Sequence, residues 1–152
     1  SIAAIAAAIG REAEGRALWQ RIAAAVAAVR ARLEGVARRR TLVVVGHTPL
    51  VVAGKGVFLD ELIEMGGGSN VAAGAGGQWP HLSLEFVLAQ APEVIIDTSV
   101  GMEAESQAAA FWTPFPTLPA VREGRVYLYG DFALLRPGPR LPEALETVAR
   151  FI

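Results

Sequence analysis

Short apolar runs rich in β-branched residues, separated by helical segments, constrain the fold of this 152-residue chain more than any other feature. Thr41 to Val45 and Val94 to Asp97 are typical of buried strands. Leu50 to Ala53 and Val126 to Tyr129 are further short runs of the same kind. Strands that alternate with helices form a mainly parallel sheet covered on both faces. The sequence therefore predicts an α/β, Rossmann-like, three-layer lobe.

A long helix precedes the first of these strands. From about Glu12 to Val36, apolar residues recur every three or four positions, which traces one face of a helix. A helix of that extent is about 37 Å long, so we expect it to pack along the outside of a domain or to join two domains. Further helices are expected at residues 1–9, Val57 to Met65, Ser83 (as the cap) to Gln90, Glu103 to Phe111 and Pro142 to Phe151.

Size and composition exclude several classes of protein. The length suits one compact domain, and no apolar stretch approaches the roughly 20 residues that cross a bilayer. The net charge is −1, and the basic run Arg38 to Arg40 suits a helix C-terminus better than a nucleic-acid surface. Without cysteines there is no disulfide scaffold and no thiolate metal site. Ser1 opens directly into an alanine-rich helical pattern, so we expect a fragment of a longer protein.

No catalytic motif is complete. Gly54-Lys55-Gly56 lacks the preceding glycine and the following Ser or Thr of a phosphate loop, and Gly66 to Gly68 ends a helix rather than opening one. No nucleophile elbow occurs. His81 and Glu85 are four residues apart and could share a helix face, but two ligands do not make a metal site, and His47 has no partner in sequence. We predict neither catalytic residues nor a protein-held metal, and no cofactor.

Aromatic residues offer a better indication of function. Trp79 follows a glycine-rich stretch and precedes a helix. At such a position a tryptophan has equal chances of being a flat surface for a ligand and of being a core residue. Phe111, Trp112 and Phe115 are predicted to fill the core rather than to touch a ligand. Glu85 stands at the start of a helix, where a carboxylate normally complements the helix dipole.

Several segments, taken together and in order, resemble the second lobe of the binding proteins for cobalamin, ferric siderophores and haem that serve ABC importers. Each segment is weak alone, but they spread from about residue 11 to residue 150. They are Val52-Ala53-Gly54-Lys55-Gly56, Leu59 to Leu62, Gly67-Gly68-Ser69-Asn70, Trp79-Pro80-His81-Leu82-Ser83-Leu84-Glu85, Ala91 to Ile96, Leu118 to Tyr127 and Arg136 to Leu141.

The resemblance implies two α/β lobes joined by one long helix, with the ligand between the lobes. Residues 1–38 would then be the inter-lobe connecting helix region and residues 39–152 the C-terminal ligand-binding lobe, with the N-terminal lobe absent. It also implies a location in the periplasm, or tethering to the outer face of the cytoplasmic membrane.

The same resemblance implies roles for individual residues. Trp79 matches a tryptophan that contacts the corrin ring, and Glu85 a surface glutamate that docks onto arginines of the membrane permease. Asp131 matches an acidic residue near the ligand, and Arg136 a nearby arginine, with a possible offset of one residue. Val51-Val52 stands where cobalamin-binding lobes carry an aromatic residue, which weakens the preference for cobalamin over other chelates.

The first expectation is therefore a non-enzymatic lobe that binds a corrinoid, with a ferric siderophore or haem as alternatives. Its partners would be the metal chelate and the ABC permease, and not a nucleic acid. The alternative from another class is a small nucleotide-binding enzyme domain on a Rossmann-like sheet, which would need a phosphate loop at a strand-to-helix turn.

Overall fold

The computed structural model describes residues 2–101, 104–131, 136 and 138–152. Ser1, Glu103 and Pro137, which belong to segments interpreted above, lie outside these residues. The seven described helices are α1 (Ile2–Ala8), α2 (Glu12–Arg32), α3 (Phe58–Met65), α4 (Leu84–Gln90), α5 (Glu105–Trp112), α6 (Pro119–Arg122) and α7 (Leu141–Phe151). The strands are β1 (Arg39–His47), β2 (Leu50–Val52), β3 (Gly68–Asn70), β4 (Val94–Asp97) and β5 (Val126–Leu128).

The sheet is mainly parallel, as predicted. Its order is β2-β1-β4-β5, and β3 pairs with the first residues of β1. The β1–β3, β1–β4 and β4–β5 pairs are parallel, whereas β2 returns antiparallel along the last part of β1 through a turn with a cis Thr48-Pro49 bond. The carboxyl ends of β1, β4 and β5 therefore meet at one edge of the sheet.

Helices cover both faces of the sheet and complete the three layers. On one face, Val43 and Ile96 pack with Leu62 of α3 and with Leu145 of α7. On the other, Leu42 and Ile95 pack with residues of α4, α5 and α6, including Val87, Trp112 and Ala120. The predicted α/β, Rossmann-like architecture is confirmed. No helix in the described ranges combines the length and the apolar character needed to cross a bilayer.

The long helix ends earlier than predicted. α2 stops at Arg32, and the chain turns at Gly35, whose φ of +76° strongly favours glycine. Val36, expected as the last residue of the apolar face, is 58% exposed. The predicted apolar face of α2 does pack against the lobe, because Ile22 and Val29 are buried and Val29 belongs to the same core as Leu145 of α7.

Candidate ligand-binding site

A buried polar cluster lies beneath the carboxyl edge of the sheet. Asp97, the last residue of β4, is fully buried and accepts hydrogen bonds from His47 Nε2 at 2.8 Å and from Trp112 Nε1 at 2.7 Å. Its other oxygen accepts from the Ser99 hydroxyl at 2.7 Å and from the Ser99 backbone N–H at 3.1 Å. The His47 ring also stacks on Phe111 with a centroid separation of 4.1 Å. The cluster ties the ends of β1 and β4 to α5.

This cluster supplies the partner that the sequence did not reveal for His47. The two residues are 50 positions apart, and the only signal in the sequence was that each lies at or just after the end of a predicted strand. The structure makes these two strands adjacent and parallel. Ser99, His47 and Asp97 are the residue types of a hydrolytic triad, yet Ser99 is fully buried and its hydroxyl bonds the carboxylate. The Ser99 hydroxyl is also 3.5 Å from His47 Nδ1, and the burial of all three side chains fits a structural role for the cluster. Trp112 is only 2% exposed, in agreement with its prediction as a core residue.

Trp79 lies in an edge segment, Gln78 to Leu82, that runs antiparallel beside β2. Backbone N–H groups of Val52 and Gly54 donate to the carbonyls of Pro80 and Gln78, at 3.2 and 2.8 Å, and Leu82 N–H donates to Leu50 O at 3.0 Å. Pro80 has no N–H and its carbonyl points toward β2, so this pairing lacks one bond that another residue would donate. The Trp79 side chain is 48% exposed on this fixed backbone.

Gly54 permits the edge segment to approach β2. A Cβ at this position would lie 2.4 Å from Gly77 O and 2.8 Å from Pro80 Cδ. The Ala53-Gly54 motif and the Trp79-Pro80 motif of the sequence therefore fit against each other. Asn70 fixes Ala53 to α3, because its Nδ2 donates to Ala53 O at 3.0 Å and to Asp60 Oδ1 at 2.8 Å.

The turn before α3 does not resemble a phosphate site. Gly56 N–H donates to Asp60 Oδ2 at 2.9 Å, so a carboxylate occupies the position that a phosphate would need. Gly66 and Gly67 lead into β3 rather than into a helix. The nucleotide-binding alternative therefore lacks a site at either glycine cluster.

Glu85 lies in the first turn of α4, where it is exposed. Ser83 caps this helix as predicted, with its hydroxyl accepting from Phe86 N–H at 3.2 Å. Within the described part of the chain, Glu85 makes no ion pair. His81 precedes the helix and bridges Val51 of β2, so His81 and Glu85 do not share a helix face. Among the described residues, no group of three or more His, Asp or Glu side chains is arranged to hold a metal ion.

Asp131 lies beyond the end of β5 and pairs with Arg140. The Arg140 Nη2 and Asp131 Oδ2 atoms are 2.8 Å apart, and Arg140 Nε donates to Glu143 Oε2 at 2.9 Å. Both bonds raise the pKa of Arg140 above its ordinary value, and the bond to Glu143 contributes more than the bond to Asp131. Arg136 is exposed. Sequence reasoning missed Arg140, which precedes α7 in the same basic segment.

The structure does not bring Trp79 and Asp131 into contact. The edge segment, β2, β1, β4 and β5 are successive neighbours, so Trp79 and Asp131 belong to opposite edges of the sheet. At about 4.8 Å between strands, those edges are roughly 19 Å apart. In open parallel sheets, ligands bind outside the carboxyl ends of the strands. Only a large ligand extends across this whole span.

A family model described as periplasmic binding protein matches residues 1–132. The chain belongs to this family. Members of the family are substrate-binding proteins rather than enzymes.

Individual relatives agree with the family assignment. The vitamin B12-binding protein of Salmonella choleraesuis (strain SC-B67) is 39% identical over 70 residues, which are 46% of this chain and 26% of that protein. The periplasmic heme-binding protein BhuT, solved in complex with two hemes, is 30% identical with a TM-score of 0.83. The periplasmic heme-binding protein RhuT from Roseiflexus sp. RS-1, in its apo form, is 28% identical with a TM-score of 0.81. Each of these two alignments covers 99% of this chain and 59% of the solved chain.

Proposed function

We propose that this chain is the ligand-binding second lobe, with its connecting helix, of a protein that captures a metal chelate and delivers it to an ABC permease. The observation that carries the proposal is Trp79, an aromatic side chain 48% exposed on a backbone held against β2. A flat surface fixed before the ligand arrives loses little entropy on binding. Such a platform suits a ligand that is flat and partly apolar.

The size of the site supports a macrocyclic ligand. Trp79 and Asp131 belong to opposite edges of the sheet, roughly 19 Å apart, and a small ion reaches only one of them. A corrinoid is the first candidate, in line with the vitamin B12-binding relative. Haem is the second, in line with the two heme-binding structures. A ferric siderophore is the third, and its support is the resemblance of the sequence motifs alone.

The same proposal implies a first lobe, a hinge and a docking surface for the permease. A first lobe would supply the other wall of the cleft, and α2 would connect the two lobes in the periplasm or at the outer face of the cytoplasmic membrane. Closure of two stiff lobes about such a helix is a small hinge motion. Glu85, exposed at the start of α4, would dock onto arginines of the permease, because a rim carboxylate steers a transient complex without making it tight.

Isothermal titration of the two-lobed protein with cobalamin, hemin and a ferric siderophore, side by side, tests the proposal. We expect tight binding of one chelate and much weaker binding of the others. Circular dichroism of the same sample establishes that it is folded. A folded sample that binds none of the three would refute the proposed cargo class.

A further inference from the structure

Arg140 joins two carboxylates at the carboxyl edge of the sheet. Its Nη1 and Nη2 groups donate to the two oxygens of Asp131, at 3.4 and 2.8 Å, and its Nε group donates to Glu143 at 2.9 Å. Every nitrogen of the guanidinium is therefore bonded, and the bond to Asp131 is bidentate. A bidentate pair fixes the direction of a carboxylate as well as its distance.

The backbone on both sides of this pair is already fixed. Two residues before Asp131, the Tyr129 N–H donates to Asp97 O at 2.8 Å, which prolongs the pairing of β5 with β4. Arg140 immediately precedes α7, and the buried residues of α7 pack in the core of the lobe. The pair between Arg140 and Asp131 therefore connects two rigid parts of the molecule.

The importance of this pair is geometric rather than energetic. The side chains of Asp131 and Arg140 are 39% and 58% exposed, so water and salt screen their attraction and the pair adds little to stability. It does set the distance between the two ends of the segment 131–140, which contains Arg136. Asp131 and Arg136 are the two residues at this edge for which a role near the ligand is predicted.

We infer that Arg140 is a positioning residue of the binding site. It acts through Asp131, whose carboxylate it holds in one orientation, and it thereby fixes where this edge of the lobe meets the chelate. The inference rests on the proposed function and deepens it, because it assigns a role in binding to a residue that need not touch the cargo. A guanidinium suits this role because its planar fork can bond two carboxylates at once, which an ammonium group cannot do with the same geometry.

A double-mutant cycle in the two-lobed protein tests the inference. Cyanocobalamin, hemin and a ferric hydroxamate siderophore are the probes, and the one that binds most tightly is used for the variants. We expect Arg140→Gln to weaken its binding roughly fivefold. In the Asp131→Asn background the same substitution should have no further effect, because the residue through which Arg140 acts is already altered.

Two further measurements distinguish orientation from charge. Arg140→Lys keeps the charge but loses the fork, so we expect it to bind the probe as weakly as Arg140→Gln. The difference in affinity between the unaltered protein and Arg140→Gln should also shrink as salt is added, because the pair is exposed. Arg122→Gln is the matched control, since Arg122 is likewise an exposed arginine in an ion pair, with Glu123, but lies at the end of α6, before β5 begins.

The outcomes separate this inference from the proposed function. An equal loss of affinity from Arg140→Gln with and without Asp131→Asn would mean that Arg140 acts on the chelate directly, and would overturn the positioning role. Full affinity in Arg140→Gln or in Arg140→Lys would overturn it too, and in each case the chelate-binding function would stand. No binding of any probe by the unaltered protein would overturn both. Thermal unfolding of each variant establishes that it is folded.

Discussion

Asp97 is held by four hydrogen-bond donors in a place that solvent does not reach. A buried carboxylate is tolerated only when its oxygens are satisfied in this way, and the same bonds then fix the donors. The donors come from the end of β1, from the turn after β4 and from α5. One side chain therefore determines how three segments under the carboxyl edge are arranged.

Replacing Asp97 by asparagine should lower the free energy of unfolding by about 3 kcal/mol, because an amide turns one acceptor into a donor that faces other donors. Urea denaturation followed by circular dichroism measures the change. Asp131→Asn is the control, since its pair with Arg140 is largely exposed and should matter by less than about 0.5 kcal/mol. Equal stability of the two variants would contradict the structural role of Asp97.

Trp79 contributes to binding rather than to folding if the proposed function is right. We expect Trp79→Ala to weaken chelate binding roughly thirtyfold, about 2 kcal/mol, while stability changes by less than about 0.5 kcal/mol. Calorimetric titration and urea denaturation measure the two effects. Trp19→Ala is a matched control, because Trp19 is also exposed, at 61%, but lies on α2. Loss of folding in Trp79→Ala would instead make Trp79 a core residue.

At the scale of elements, the edge segment depends on Gly54. We expect Gly54→Ala to displace residues 77–80, since its Cβ would meet Gly77 O at 2.4 Å. Chelate affinity should then fall about as far as in Trp79→Ala, with a loss of stability of about 1–3 kcal/mol. Gly74→Ala is the control in the loop before the edge segment, because a Cβ at Gly74 meets nothing within 4 Å. Unchanged affinity in Gly54→Ala would show that the segment adjusts freely.

The start of β1 is joined to the start of β4 by Glu93. Its carboxylate accepts from the Arg40 backbone N–H at 3.0 Å, and this bond, more than the attraction to the Arg40 side chain, lowers the pKa of Glu93. A lowered pKa in the folded state means that the stabilisation is present above the ordinary glutamate pKa and is lost as the pH falls through the folded value. Glu93→Gln should therefore lower the melting temperature slightly at pH 7 and have no effect in strong acid. A difference that persists at low pH would contradict this.

The elements that the sequence predicted are those whose own residues specify them. β4 has the predicted bounds, and α3, α4 and α7 begin within one residue of prediction, because periodic apolar residues mark the helices and Ser83 caps α4. β3 and the edge segment were missed, since Gly-Ser-Asn and Gln-Trp-Pro-His have little strand propensity and become extended only by pairing with β1 and β2. The contact between His47 and Asp97 depends likewise on strand order, which local sequence does not encode. The roles of Trp79, Glu85, Asp131 and Arg136 stay predictions.

At the scale of the whole molecule, α2 is part of the core of the lobe. Val29 is 1% exposed and packs with Leu145 and Val148 of α7, and Arg32 pairs with Glu146 at 2.8 Å. A connector joined so firmly to one lobe moves with it. Under the proposed function, any hinge therefore lies on the far side of α2, and this lobe approaches the permease as a rigid body.

Docking onto the permease, as proposed, involves the whole molecule. We expect Glu85→Arg to leave chelate affinity unchanged and to reduce uptake by whole cells strongly, because the reversed charge would repel arginines of the permease. Uptake of labelled chelate and calorimetric titration measure the two properties. Glu61→Arg is the control, since Glu61 is likewise exposed in the first turn of a helix, α3. An equal loss of chelate affinity in Glu85→Arg would contradict a docking role.

The contact of Gly54 with residues 77–80 has a consequence for anyone who redesigns the cargo of such a protein. Because the backbone before α3 and the backbone that carries Trp79 and His81 occupy adjoining space with no room for a methyl group, neither can be exchanged alone. A chimera that takes the aromatic segment from a relative must also take, from the same relative, the residues that correspond to 53–56. The two stretches, more than twenty positions apart in the chain, therefore have to be transplanted together.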